Sequence, residues 1–347
     1  MLVKQAKTLA RQWIEEEGRK IPGFGGAFFH GSINWLPDDA TLAPSSDVDI
    51  MVVHPDPNPP VKLGKFPYHD VLLEISYFPK DQLQRPEHVL SISHLAGSFR
   101  SASVIADPTG QLTTLQRVVA KAYAKRRWVT ARCTHARDKV LGNFQSLNAS
   151  ASFQDQVLAW LFGTGVTTHI LLVAGLKNPT VRQRYLATKT LLADYEQEAF
   201  YAPLLALLGC AQWSQAQAEQ HLAALTAVFD VAKTVIKSPF FFASDINDVS
   251  RPIAIDGSRE MIARGNHREA VFWLVATYSR CQKILYQDAP VELQEQFHPG
   301  YQALLADLGI RSFADLQQRS EQVRAFLPEI WRVAEAIMDA NPAIEAS

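Results

Sequence analysis

Two aspartates one residue apart, Asp47 and Asp49, open the apolar run VDIMVV, and a glutamate, Glu74, interrupts a second run, VLLEISYF. In a strand alternate side chains share a face, so Asp47, Asp49 and Met51 look one way while Val48, Ile50 and Val52 enter a core. By the same rule Glu74 goes with Leu72 and Ser76, opposite Val71, Leu73 and Ile75. If the strands are neighbours with these faces aligned, the three acids converge. Gathered carboxylates repel one another, and a cation among them removes that cost. Oxygen donors without a His or Cys pattern favour Mg²⁺, which takes one or two carboxylates together with substrate phosphates. Upstream, the Gly31-Ser32 turn has backbone N–H groups and a hydroxyl suited to a phosphate.

The elements that must position these residues change character along the chain. Up to about residue 110, short strands alternate with turns; besides the two acidic runs, SASVIAD reads as a third strand, and four prolines between Pro55 and Pro60 make that stretch a surface loop. From a helix starting near Gln111 onward, apolar residues recur at three and four positions, as in Leu115, Val118, Val119 and Ala122, or Val271, Leu274, Val275 and Tyr278. The pattern predicts an α+β protein: a mixed sheet with helices over residues 1–110, then an all-α bundle over 111–347. Asn178 with Pro179 reads as an N-cap and N1 pair, and Asn266 with Glu269 as a near capping box.

Composition narrows the classes. The 347 residues suit about two domains. With 47% hydrophobic and 20% charged residues the chain is of ordinary globular type, and a net charge of −1 gives no basic footprint for long nucleic acids. Cys133, Cys210 and Cys281 fall in no metal-ligand spacing and read as reduced thiols of a cytoplasmic protein. The first twenty residues lack the apolar core of a signal peptide and look like a first helix. Residues 156–176 contain no Lys, Arg, Asp or Glu, yet Gly163, Gly165, three threonines and His169 make them a buried bundle helix, broken near Gly163, rather than a membrane span. Nothing in the sequence sets an oligomeric state.

Gly-Ser, a spacer, Ser46-Asp47-Val48-Asp49 at the head of a strand, and an acid on a later strand together resemble the nucleotidyltransferase fold of the DNA polymerase β superfamily, particularly the branch containing aminoglycoside nucleotidyltransferases. The resemblance covers the first 110 residues or so. It implies that Asp47, Asp49 and Glu74 hold Mg²⁺, with Glu74 either a metal ligand or a general base, and that Gly31, Ser32 and Ser46 meet the nucleoside triphosphate. The spacer INWLPDDATLAPSS is a few residues longer than the family usually shows, and it lacks the Arg that commonly follows Gly-Ser. The stretches GVTTHILLVAGLKNPTVRQRY and GNHREAVFW are similar to bacterial nucleotidyltransferase-domain proteins of uncharacterised substrate.

The expected reaction is transfer of a nucleoside monophosphate, AMP from Mg-ATP, to a hydroxyl of a small-molecule acceptor, with pyrophosphate leaving. Acids of the helical half, Asp194, Glu196 and Glu198, would suit an aminoglycoside-like acceptor. Arg182, Tyr185 and Lys189, at i, i+3 and i+7 of the helix expected from Asn178, would clamp the triphosphate or an anionic acceptor; a solvated basic face explains them equally well. His30 is expected to be a strand-end histidine with a backbone partner, and Glu269 a capping residue. Rival readings are a non-catalytic nucleotide sensor, an antitoxin-like module, and an enzyme that nucleotidylates protein or RNA.

Overall fold

Period-two burial shapes the first half of the molecule. In the computed structural model, which describes residues 1–346, helix α1 (Val3–Glu16) is followed by strands β1 (Ala27–His30), β2 (Val48–His54), β3 (Gly64–Tyr68), β4 (Val71–Pro79) and β5 (Val104–Ala106), with a short helix α2 (Pro86–Ser91) between the last two. The described strands form one mixed sheet in the order β3-β4-β2-β1-β5. β2 and β4 run parallel, with Asp49 level with Glu74; β1 is antiparallel to β2, with His30 level with Asp49. β3 and β4 form a hairpin through His69 and Asp70, in which Lys65 lies opposite Glu74.

The two faces of this sheet have different fates. Phe29, Val48, Ile50, Val52, Leu73 and Ile75 pack under Val3, Ala6, Ala10, Trp13 and Ile14 of α1 as one core. On the other face, Phe28, Met51, Val53 and Phe78 are covered by Leu83, Val89, Leu90, Phe99, Leu112 and Leu115. That cover does not extend over Asp47, Asp49 and Glu74, which remain only partly buried. The strand alternation thus sets two apolar layers and leaves one polar end.

Helix α3 (Gln111–Ala122) begins where the change of pattern predicts, its first turn tied down by Asp107, whose carboxylate accepts from the Thr113 amide and hydroxyl at 2.8 Å each. Among the described residues, 1–135 with 176–179 and 342–346 make up the first compact unit, and 136–175 with 180–341 the second. The division therefore falls in α4 (Arg126–Gln145), later than the expected residue 110, because Leu112, Leu115 and Val119 of α3 belong to the core over the sheet.

The second unit is helical. It contains the end of α4, then α5 (Phe153–Ala174), α6 (Arg184–Asp194), α7 (Tyr201–Leu208), α8 (Gln215–Val235), α9 (Gly257–Ala263), α10 (His267–Asp288), α11 (Val291–Asp307) and α12 (Phe313–Ala340). α5 is long and apolar enough to cross a membrane, but 78% of its most apolar stretch is buried inside the protein. It is a core helix. It is also unbroken at Gly163: that glycine and Gly165 let the rings of Phe144 and Phe272 approach the helix backbone, where any Cβ would collide with them.

Candidate functional site

β2 and β4 bring the three acids together. One carboxylate oxygen from each of Asp47, Asp49 and Glu74 lies within 4.8 Å of the others, the only such group of potential metal ligands among the described residues. The parallel register puts Asp49 and Glu74 side by side, and Asp47 sits just before β2 on the same face. The Gly31-Ser32 turn, the start of a 3₁₀ turn over Gly31–Asn34, follows directly from β1. Gly31 has φ +64°, and a Cβ there would run into Asp49 Oδ2. Only glycine fits, for reasons of both backbone and space. The turn is held from behind: the Asn34 amide donates to the Phe29 carbonyl at 2.7 Å, Arg100 donates to the Asn34 carbonyl at 3.1 Å, and its guanidinium lies 3.9 Å from the Trp35 ring centre. Ser46 lies half-buried in the turn entering β2.

Two lysines share the site. Lys62 Nζ donates to Glu74 Oε1 and Lys65 Nζ to Glu74 Oε2, each at 2.5 Å, and Lys65 Nζ is 3.4 Å from Asp47 Oδ2. The Lys65 side chain is 7% exposed. Burial alone would raise the Glu74 carboxyl, but Lys65 and Lys62 more than offset it and bring it down to about 2. The aspartates move the other way. Burial raises Asp47 against the pull of Lys65, and burial with the fields of Asp47 and Glu74 raises Asp49 well above the usual carboxylate range. Three acids against two ammonium groups leave the site short of positive charge, and the donor set fits a hard divalent cation.

His30 is held by a side chain rather than by the backbone: its Nδ1 and the Ser98 hydroxyl share a hydrogen bond of 2.7 Å. Burial pushes its imidazole down to about 4. The lysines were not found by motif reading, yet a signal existed. A two-residue turn at His69-Asp70 pairs Tyr68 with Val71, and counting back pairs Lys65 with Glu74 on one face.

The expected triphosphate clamp is not assembled. Residues 177–180 form no helix, and α6 starts at Arg184, not at Asn178. The Thr180 carbonyl is 3.0 Å from His169 Nε2, and the Val181 carbonyl accepts from Arg184 Nε at 2.8 Å, so these carbonyls serve side chains instead of a first helical turn. Arg182 therefore sits in a turn. Tyr185 is 1% exposed, a core residue against Phe272 and not a nucleotide contact. Lys189 pairs with Glu269 at 3.3 Å. Glu269 caps nothing: Asn266 receives no side-chain cap bond, and the buried Glu269 carboxylate accepts from the Tyr201 hydroxyl at 2.9 Å. Asp194, Glu196 and Glu198 lie exposed at the end of α6 and after it. These residues belong to the second compact unit and the acids at β2 and β4 to the first.

No protein-family model matches the chain, and no curated protein matches it.

Proposed function

We propose that the chain is a Mg²⁺-dependent nucleotidyltransferase that moves AMP from ATP to a hydroxyl of a small molecule. The observation that carries this reading is the meeting of Asp47, Asp49 and Glu74 at the Gly31-Ser32 turn, close enough that Gly31 has no room for a side chain. Four features resembling the nucleotidyltransferase fold are thereby gathered in one place. The architecture of the proposal is a nucleotidyltransferase domain followed by a helical domain that selects the acceptor, working in the cytoplasm; the three buried free cysteines agree with a reducing compartment.

When bound, Mg²⁺ supplies Lewis-acid activation of the attacking hydroxyl and charge neutralisation of the departing pyrophosphate. Asp47 and Asp49, with Glu74 beside them, would hold the cation. Gly31 and Ser32, with Ser46 beside the aspartates, receive the triphosphate. The acceptor oxygen forms a bond to the α-phosphorus as the bond from that phosphorus to the bridging oxygen of pyrophosphate breaks, and the hydroxyl proton passes to water. Glu74 is a poor general base, since a carboxyl near 2 with a lysine on each oxygen takes up protons reluctantly. Its part is to complete the anionic cradle. The experiment is pyrophosphate release from ATP with a panel of hydroxylated acceptors, with and without Mg²⁺, beside Asp47→Ala. Metal-dependent release that the variant loses supports the reading.

One observation favours a second reading, a nucleotide-sensing module without turnover: both oxygens of Glu74 already have ammonium partners. ATP binding by wild type and Asp47→Ala alike, with no release from either, would select it. Antitoxin-like docking and nucleotidylation of protein or RNA have no such observation behind them.

A further inference from the structure

We propose that Lys65 is a resident cation that competes with the divalent metal for Asp47 and Glu74, so that metal binds tightly only when a nucleoside triphosphate draws the ammonium away. This deepens the function proposed above and rests on its reading of the acid trio as a metal site.

The geometry sets up the competition. A hard cation held by the trio needs one oxygen from each acid at about 2.0–2.1 Å, and those oxygens lie within 4.8 Å of one another. Lys65 Nζ is already 2.5 Å from Glu74 and 3.4 Å from Asp47, two of the same three acids. It is no surface bystander, for its side chain is 7% exposed and its strand is paired so that Lys65 faces Glu74. An ammonium and a divalent ion cannot both occupy this space without strong repulsion at short range in a partly desolvated setting. Lys62 differs: it touches Glu74 alone, from the Pro-rich loop side, and is more exposed. It is the weaker competitor.

The lysine stem gives the ammonium somewhere to go. A flexible four-methylene stem lets Nζ shift from the carboxylates toward an anion placed beside them, as a point charge without fixed orientation. A triphosphate at the Gly31-Ser32 turn is such an anion. Metal and nucleotide then bind with positive coupling, each improving the other's affinity by the same factor. Without nucleotide the site holds its own cation. This also explains why Glu74 carries two ammonium partners although the reaction proposed for it asks for a metal.

Mn²⁺ binding to the intact chain, followed by the electron paramagnetic resonance signal of the free ion, tests this in wild type, Lys65→Met, Lys62→Met and Asp49→Asn, with and without a non-hydrolysable ATP analogue. Lys65→Met is expected to bind Mn²⁺ without nucleotide about tenfold tighter than wild type or more, in the range of ordinary site-to-site coupling. Lys62→Met should gain less, and the analogue should tighten Mn²⁺ binding in wild type far more than in Lys65→Met. Should Lys65→Met not fold, Lys65→Gln carries the same expectation. Equal or weaker Mn²⁺ binding by the Lys65 variants, with Asp49→Asn losing it, overturns the competition and leaves the metal site standing. If no variant binds Mn²⁺ at all, both this proposal and the metal reading fall. Tighter binding in Lys65→Met with no pyrophosphate release from any protein sustains the competition and removes the catalytic reading.

Discussion

In the first compact unit three acids crowd one end of a sheet face, two of them with raised carboxyl pKa values; in the second, the deeply buried Glu269 has a hydroxyl at 2.9 Å and an ammonium at 3.3 Å. Other charged or titratable groups of the second unit also lie against partners. Arg280 meets Asp245 at 3.2 Å, His221 meets Asp307 at 2.8 Å, and Arg184 stacks 3.9 Å from the Phe272 ring centre. At β2 and β4 the first unit instead sets like charge beside like charge. A buried ion with its own partner is a structural element, because removing the partner is what costs stability. A cluster of like charges is what the metal of the proposed function would neutralise.

Each half of this contrast can be broken. The largest effect is expected from Asp49→Asn, which should lower pyrophosphate release on the order of 10³-fold by removing a metal donor. In a metal-free thermal melt at neutral pH the same variant should be more stable than wild type, since ionising a carboxyl whose native pKa is raised costs the folded state. Next comes His30. Its imidazole is pushed down to about 4 from 6.5, so the unfolded chain takes up the proton first, and the stability it contributes above 6.5 is lost as pH falls toward 4. The full loss is up to about 3 kcal/mol; urea midpoints at pH 7 and pH 5 should differ less in His30→Gln than in wild type. Glu269→Ala should cost about 2 kcal/mol by stranding the Tyr201 hydroxyl, visible in urea unfolding, while Mn²⁺ affinity at the acid trio stays unchanged. The smallest effect is that of Lys189→Ala, less than about 1 kcal/mol in the same measurement, because its side chain is 44% exposed.

What the sequence disclosed follows from the range of the forces involved. Asp47, Asp49 and Glu74 were legible because strand alternation is local, and the burial of Val48, Ile50, Leu73 and Ile75 matches it residue by residue. The collision awaiting a side chain at Gly31 depends on the strand that follows it in space, so its type was legible and its reason was not. Lys62 and Lys65 escaped because cross-strand partners depend on hairpin register, which motif reading ignores. At Asn178-Pro179 the capping rule described a plausible helix start, but His169 and Arg184 engage the carbonyls that a first turn would use. Glu269 was misjudged for a related reason. The rule for N3 acids assumes a solvated carboxylate, and here Glu269 is buried.

The hairpin of β3 and β4 bears on how the chain folds. Its two residues of turn close in roughly 1–10 μs, whereas pairing β2 with β4 must bridge the segment between them and comes later, as parallel partners do. On these timescales Lys65 and Glu74, paired within the hairpin, are expected to be joined before Asp47 and Asp49 dock beside them. Three bare anions then never meet during assembly, because Glu74 is already escorted when the two aspartates arrive.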